Sequence, residues 1–229
     1  MTIKEIIDRY RKDKIFKARF ALWRGASVDV VYSVFRIITG LIYFSKWFIT
    51  LALYHVGLCF IRIMLIRSYD KVSADCETHD KTFEYKRYRL AAIFMLVLTM
   101  PLLGMATLTV AENAAFRYPG LIIYASAAYT CYITVMAIIN IVRYKKVGSP
   151  ILMAAKAVNL VAAAVSIFGL QTAMIARFSP GDEVFRLSMN ASTGAAMILG
   201  VLAIAVYMIV ISTKKIKNIG NEQIGKQIL

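Results

Sequence analysis

The sequence predicts an all-α integral membrane protein with six transmembrane helices, both termini in the cytoplasm, and a short basic amphipathic segment at the N-terminus. Three observations predict this fold class. Of the 229 residues, 59% are hydrophobic and 18% are charged, whereas soluble domains average about 45–50% apolar and about 25% charged residues. The mean hydropathy is +0.64. Basic residues are also concentrated in alternate segments between the apolar stretches.

Six apolar stretches are each long enough to cross a hydrocarbon core of about 30 Å as a helix. They cover residues 26–44, 46–66, 90–111, 119–142, 150–176 and 190–212. They form one transmembrane domain over residues 26–212, between a basic segment at residues 1–25 and a basic tail at residues 213–229. This arrangement leaves little chain for a soluble catalytic domain.

The first two stretches are nearly continuous, and Lys46 decides how they are divided. A single span would place this lysine near the middle of the membrane, where a charge is costly. A hairpin places it at a water interface, beside Tyr43, Phe44, Trp47 and Phe48. Aromatic residues beside a lysine are typical of an interfacial belt. The sequence therefore predicts two spans joined by a tight turn.

The charge distribution predicts the orientation. With the N-terminus inside, the cytoplasmic segments are residues 1–25, 67–89, 143–149 and 213–229, and they hold 21 of the 28 Lys and Arg residues. The outer segments hold only Lys46, Arg117, Arg177 and Arg186. Because basic residues collect on the cytoplasmic side, we expect a multi-pass protein of a cytoplasmic (plasma) membrane with both termini inside.

The N-terminal segment has two interpretations that the sequence leaves open. Ile3, Ile6, Ile7 and Tyr10 share one helical face, which fits a short helix lying on an anionic cytoplasmic leaflet. A solvated basic tail that only determines topology fits equally well. In a membrane protein, the positive charge indicates an anionic lipid surface rather than nucleic acid as the partner.

Arg36 is the most informative charged residue, because it lies about eight residues, or roughly 12 Å, from either end of the first span. Such an arginine normally faces the bundle interior or a wet cavity. Asp29, Ser33 and Arg36 recur at helical spacing, but Asp29 is about 10 Å from Arg36 along the axis and too distant for a direct pair. The stripe is either an anion-binding pathway or an interhelical hydrogen-bond anchor.

The fifth span carries a second polar stripe, formed by Lys156, Asn159 and Ser166. If the first and fifth spans face each other, both stripes would line a polar pathway with net positive charge. Lys156 lies near a helix end, where its long side chain can reach water. Asn140 and Gln171 are further polar candidates in the fourth and fifth spans.

Metal and cofactor signals are weak. His55 and Cys59 lie four residues apart on one face, but a zinc site needs three or four ligands. Cys76 and His79 form half of a metal-binding pattern in the cytoplasmic loop, where a solvated polar patch is the better interpretation. The sequence therefore predicts no cofactor, and packing is the favoured role for His55 and Cys59.

Two patterns concern helix packing. Ser192, Ala196 and Gly200 form a ridge of small residues on the sixth span, and such ridges let helices approach closely in lipid. The ridge fits either the bundle interior or a homo-oligomer interface. Pro101 and Gly104 predict a kink or hinge in the third span, because proline cannot donate its backbone hydrogen bond.

These features favour a small transporter or channel-like permease with a cationic polar interior, suited to an anionic or carboxylate-bearing solute. The alternative is a non-catalytic membrane subunit or scaffold that binds a partner protein through the cytoplasmic loop or the N-terminus. No phosphate-binding loop, metalloprotease motif or nucleophile elbow is present, so we expect a protein that is not an enzyme.

Overall fold

The computed structural model describes residues 14–44, 46–74, 81–111, 121–143, 148–179 and 181–228. Over these residues the chain is helical, without strands. The helices are α1 Lys14–Tyr43, α2 Lys46–Ala74, α3 Lys81–Val97, α4 Thr99–Ala111, α5 Leu121–Arg143, α6 Pro150–Phe178 and α7 Glu183–Ile228. Helices α3 and α4 follow one another as a single long segment, so the described chain contains six long apolar segments.

The number of spans agrees with the prediction. Six helical segments are long and apolar enough to cross a membrane: Arg19–Tyr43, Lys46–Ser73, Lys81–Ala111, Leu121–Asn140, Pro150–Phe178 and Glu183–Glu222. This composition fits a multi-pass membrane protein. Most helices extend beyond the predicted apolar limits, since α1 begins at Lys14, α2 ends at Ala74 and α7 continues to Ile228. Polar residues can continue a helix after its apolar part ends, because the backbone hydrogen bonds do not depend on the side chain.

The predicted hairpin is confirmed, but part of its aromatic belt is not. Helix α1 ends at Tyr43, Phe44 adopts a positive φ of 45°, and α2 begins at Lys46, whose side chain is exposed. Trp47 and Phe48, expected at the interface, are instead buried in the bundle. The first turn of α2 packs inward, where the Trp47 ring lies 6.2 Å from that of Phe168.

Helices α2 and α6 form the centre of the bundle. Each contacts four other helices: α2 packs against α1, α3, α4 and α6, and α6 packs against α2, α3, α5 and α7. Their fully buried residues recur every three or four positions, as in Leu51, Tyr54, Leu58 and Ile61 of α2. Several alanines of α6 are buried, among them the completely buried Ala154 and Ala162, and such small residues allow close helix packing.

The predicted kink in the third span is present as a break between α3 and α4 at Leu98. Pro101 has no N–H to donate to the carbonyl of Val97, so the helical hydrogen-bond pattern is interrupted there. The Thr99 hydroxyl donates to the Leu96 carbonyl at 2.6 Å and supplies a local partner at the break.

Helix α7 does not use its predicted ridge to pack in the bundle. Ser192, Ala196 and Gly200 are exposed, and a Cβ added to Gly200 would meet nothing within 4 Å. The inward face consists of other residues: Asn190, Gly194, Met197, Val201, Ala205, Met208 and Ser212. The small-residue ridge therefore faces away from the bundle.

We call the end of the bundle where α2 ends at Ala74 and α3 begins at Lys81 the basic end. Two polar contacts connect helices there: an ion pair between Arg19 and Asp70 at 2.8 Å, and a hydrogen bond from Ser149 to Glu84 at 2.5 Å. Residues 1–13, with Ile3, Ile6, Ile7 and Tyr10, lie outside the described residues, as do Cys76 and His79.

Candidate functional site

A buried ion pair connects α1 and α2 in the interior of the bundle. Arg62 Nη2 lies 2.6 Å from Asp29 Oδ2, and the two side chains are 3% and 1% exposed. The Tyr129 hydroxyl of α5 donates to the other carboxylate oxygen, Asp29 Oδ1, at 3.2 Å. Removing one partner of such a pair leaves an uncompensated buried charge, which costs about 3–5 kcal/mol in soluble proteins.

The hairpin geometry explains why these two residues meet. Asp29 lies 16 residues before position 45 and Arg62 lies 17 residues after it, so antiparallel helices place them at the same height. The same register brings Ser33 to 3.4 Å from Cys59 Sγ. Gly25 completes the arrangement, because a Cβ at this position would collide with the Arg62 guanidinium group.

Arg62 is the functional candidate that sequence analysis missed. It lies within the second predicted span at residues 46–66, but the sequence analysis named no partner for Asp29. The signal was present: in an antiparallel hairpin, an acid and a base at equal distances from the turn face each other. Recognising this pair requires the position of the turn, which Lys46 predicts. It also requires a helical phase that directs both side chains inward.

Arg36 lies deeper in the bundle and is 2% exposed. Its Nε donates to the Tyr32 hydroxyl at 2.8 Å, and Nη2 also hydrogen-bonds to Tyr32. Nη2 donates to Ser126 Oγ of α5 at 3.2 Å, and the guanidinium carbon lies 5.7 Å from the centre of the Phe48 ring. Charge-assisted hydrogen bonds and a π face thus replace water around this cation.

Two stacked tyrosines separate Arg36 from the ion pair. The Tyr32 and Tyr129 rings are parallel to within 3°, with centroids 3.4 Å apart. The Tyr32 hydroxyl accepts from Arg36, whereas the Tyr129 hydroxyl donates to Asp29. The His55 ring contacts both edges, at 5.0 Å from Tyr32 and 6.0 Å from Tyr129. The two charged groups are therefore connected through an aromatic layer.

On the basic side of this layer, two small cavities adjoin Arg62. One has a volume of about 20 Å³ and the other about 10 Å³, close to the space that one water molecule occupies. Their polar and charged lining residues are Arg24, Asp29, Arg62, Tyr132, Asn140, Lys156 and Asn159. Three of these side chains are cationic, and Asp29 is the one carboxylate among the described lining residues.

The structure brings together some of the predicted site residues and separates others. Asn159 lines both cavities, whereas Asp29 lines only the larger one and Lys156 only the smaller one, although these residues come from the first and fifth predicted spans. Arg36 and Ser166 line neither cavity, and Ser33 contacts Cys59 instead. The Ser166 carbonyl accepts a hydrogen bond from Thr130 at 3.4 Å. The helical phases of the first and fifth predicted spans could not show that α5 lies between their two polar stripes at this depth.

The weak metal candidates have other partners. His55 Nδ1 donates to the Leu51 carbonyl at 2.8 Å, and Cys59 is within 3.4 Å of the Ser33 hydroxyl. Within the described ranges, no group of three or more His, Cys, Asp or Glu side chains could hold a metal ion. These two residues therefore belong to the packed hairpin interface in the part of the chain that the structure describes.

A separate polar contact region connects α6 and α7 at the opposite end from Ala74. Gln171 Nε2 donates to the Thr193 hydroxyl at 3.0 Å, and the Thr172 hydroxyl donates to Asn190 Oδ1 at 3.3 Å. Interhelical hydrogen bonds of this kind contribute about 0.6 kcal/mol on average in a membrane protein. Their neutral side chains and mutual pairing indicate a packing role for Gln171.

Comparison with known proteins gives no match to any family model, and no curated protein is significantly similar to the chain in sequence. The functional conclusion therefore depends on the residues of the interior site.

Proposed function

We propose that this protein is a small membrane transporter or channel-like permease for an anionic solute, such as a small carboxylate. The observation that supports this proposal most directly is the charge around the two cavities. Arg62 lines both cavities, Arg24 lines the larger one and Lys156 the smaller one. Among the described lining residues Asp29, at the larger cavity, is the one carboxylate. Ionisable residues within membrane spans are rare and commonly mark a substrate pathway.

The ion pair supplies a mechanism for admitting such a solute. A carboxylate or phosphate that enters from the basic end can compete with Asp29 for the Arg62 guanidinium, which binds such groups with two parallel hydrogen bonds. Asp29 keeps the Tyr129 hydroxyl as a donor while its ion pair opens. The structure, with cavities of about 10–20 Å³, corresponds to the closed state in this mechanism.

In this proposal the stacked Tyr32 and Tyr129 rings are the gate, and Arg36 is the next anion-binding position beyond it. The Tyr32 and Tyr129 hydroxyl groups each hydrogen-bond to a charged side chain, so a movement of Asp29 away from Arg62 also moves the Tyr129 ring. The break between α3 and α4 at Leu98 gives the bundle a place to bend. Leu98 packs directly against α2, since a Cβ at Gly57 would collide with it.

The proposal includes an orientation and an assembly. The basic end faces the cytoplasm at a plasma membrane, with both termini on that side, because basic segments concentrate on the cytoplasmic side of membrane proteins.

The exposed ridge of Ser192, Ala196 and Gly200 supports contact with a second copy of the chain, since small residues allow close helix approach. Efficient disulfide formation between Ser192→Cys protomers in membranes would support this contact, and its absence would argue against it.

Solute flux into proteoliposomes tests the transport proposal. Wild-type protein should carry at least one of chloride, phosphate or small carboxylates, and Arg62→Gln/Asp29→Asn should lose most of that flux. This double variant removes both charges and avoids a lone buried ion. Arg36→Gln should also lose flux at matched incorporation. Arg177→Gln, which removes an exposed arginine far from the site, is the matched control and should retain it.

The same experiment separates transport from a scaffold role. A wild-type protein that moves none of these solutes, and no cation, would contradict the proposal. That result would favour the alternative of a non-catalytic subunit that binds a partner protein through the interval 67–89 or the N-terminus. In that role the buried polar residues contribute only to packing, and substitutions would lower stability or partner retention.

A further inference from the structure

A second charged region lies on the outer surface between α2 and α3, at the basic end. It is a groove of about 400 Å³. The lining side chains that matter most are Arg67 and Lys71 of α2, Phe83 and Arg87 of α3, and Phe60 and Ile63 of α2. None of them belongs to the interior site.

Three cations converge at the polar part of this groove. Lys71 Nζ lies 5.7 Å and the Arg87 guanidinium carbon 4.9 Å from the centre of the same Phe83 ring. Arg67 precedes Lys71 by one helical turn. No carboxylate among the described residues pairs with any of these three cations; the described ion pairs involve Arg19 with Asp70 and Arg62 with Asp29. Three cations that line one groove favour an anion between them.

The remaining part of the groove is apolar. Phe60 is 56% exposed and Ile63 is 40% exposed, and the Phe60 ring packs edge-on against Phe94 at 5.2 Å. From Lys71 to Phe60 the helix rises about 16 Å. Along this distance the lining changes from charged to apolar, in the same order as a phospholipid changes from headgroup to acyl chain.

A neighbouring surface cavity of about 290 Å³ continues the pattern on the other side of Phe83 and Arg87. It adds Lys86 and Arg89 at the polar end and Leu90 and Ile93 at the apolar end. Basic pockets between helices at the cytoplasmic side of membrane proteins bind the headgroups of anionic lipids. A second acyl chain would find room here.

We propose that the groove between α2 and α3 binds the phosphate headgroup of an anionic phospholipid, with Arg67, Lys71 and Arg87 around the phosphate and an acyl chain along Phe60 and Ile63. The proposal rests on the helices crossing a membrane and is independent of transport. Charge complementarity selects an anionic lipid over a zwitterionic one, and the apolar half selects a lipid over free phosphate.

Native mass spectrometry of the full-length protein in detergent tests this site. Phosphatidylglycerol should bind with an apparent affinity at least tenfold higher than phosphatidylcholine. Arg67→Gln/Lys71→Gln/Arg87→Gln should lose this tenfold preference and keep its melting temperature. The matched control is Lys214→Gln/Lys215→Gln/Lys217→Gln, which removes three charges from exposed positions of α7 and should retain the preference.

Two further measurements distinguish the lipid from free phosphate. Inorganic phosphate at millimolar concentration should displace little phosphatidylglycerol, and Phe60→Gln should weaken lipid binding severalfold with all three cations present. Complete displacement by inorganic phosphate, or an unchanged affinity in Phe60→Gln, would overturn the lipid assignment. Equal losses in both triple variants would overturn the site itself. The result of the flux measurement affects neither the lipid assignment nor the location of the site.

Discussion

Arg62 and Arg67 lie five residues apart on the same helix, yet their surroundings differ completely. Arg62 is 3% exposed and contacts Asp29, whereas Arg67 is exposed in a surface groove with two other cations. Five residues turn a helix by about 140°, which directs one arginine into the bundle and the other outward. The comparison shows that helical phase, rather than residue type or depth alone, determines the role of a charge here.

The largest effect that we expect is on stability, at Arg62. Arg62→Gln should lower the free energy of unfolding by about 3–5 kcal/mol, because Asp29 then stays buried without its cation. Asp29→Asn in the same chain should recover most of the loss. Thermal melting in detergent measures both variants. An Arg62→Gln protein that melts like the wild type would mean that the ion pair does not stabilise the bundle.

The next largest expected effect is at Tyr32, whose hydroxyl accepts a hydrogen bond from Arg36. Tyr32→Phe keeps the stacked ring but removes a hydroxyl hydrogen-bonded to a buried cation, and it should cost about 1.5–3 kcal/mol. The matched control is Tyr54→Phe, since the buried Tyr54 hydroxyl has no hydrogen-bond partner among the described residues. This control should be neutral or stabilising. Equal melting temperatures for the two variants would contradict the role of Tyr32.

A third prediction tests how closely α1 approaches Arg62. Gly25→Ala places a methyl group against the guanidinium and should cost about 1–3 kcal/mol in overpacking, partly offset by about 1 kcal/mol of helix propensity. Gly200→Ala gains the same propensity but meets no neighbour within 4 Å, so it should be stabilising. The difference in melting temperature between the two variants is the measurement. A Gly25→Ala variant as stable as Gly200→Ala would mean that Arg62 moves away freely.

The smallest expected change in stability is at Arg67. Arg67→Gln should alter the free energy of unfolding by less than about 0.5 kcal/mol, because an exposed side chain outside the core is replaced. Its effect should appear in the preference for anionic lipid. Thermal melting and lipid titration of the same sample measure the change in stability and the change in lipid preference separately. A loss of stability close to that of Arg62→Gln would remove the contrast between the two arginines.

Several features of the fold were predictable from the sequence because they depend on local chemistry. The six long apolar helical segments follow from the length of the apolar stretches, the hairpin from Lys46, and the break at Leu98 from Pro101. Each signal acts within about one helical turn or along one helix. The ends of the helices were less predictable, because α1, α2 and α7 continue as helices into polar sequence where hydropathy gives no signal.

The interior site was only partly predictable. Asp29 and Arg36 were identified as polar residues that need partners, but the partners Arg62, Tyr129 and Ser126 come from other helices. Trp47 was expected at the interface and is completely buried. Interhelical contacts depend on how whole helices rotate and cross, and a hydropathy pattern that is apolar on all sides contains little information about that rotation.

The sequence by itself determined that the chain forms long apolar helices, how many there are, where the first two separate, and where charge is scarce. Those properties come from transfer of side chains into an apolar medium and from backbone hydrogen bonding, which are local. Only the tertiary structure decided that Asp29 meets Arg62, that Arg36 meets Tyr32 and Ser126, and that the small-residue ridge of α7 faces outward. Each of these depends on the rotation of one helix against another, which close packing of all the helices determines together.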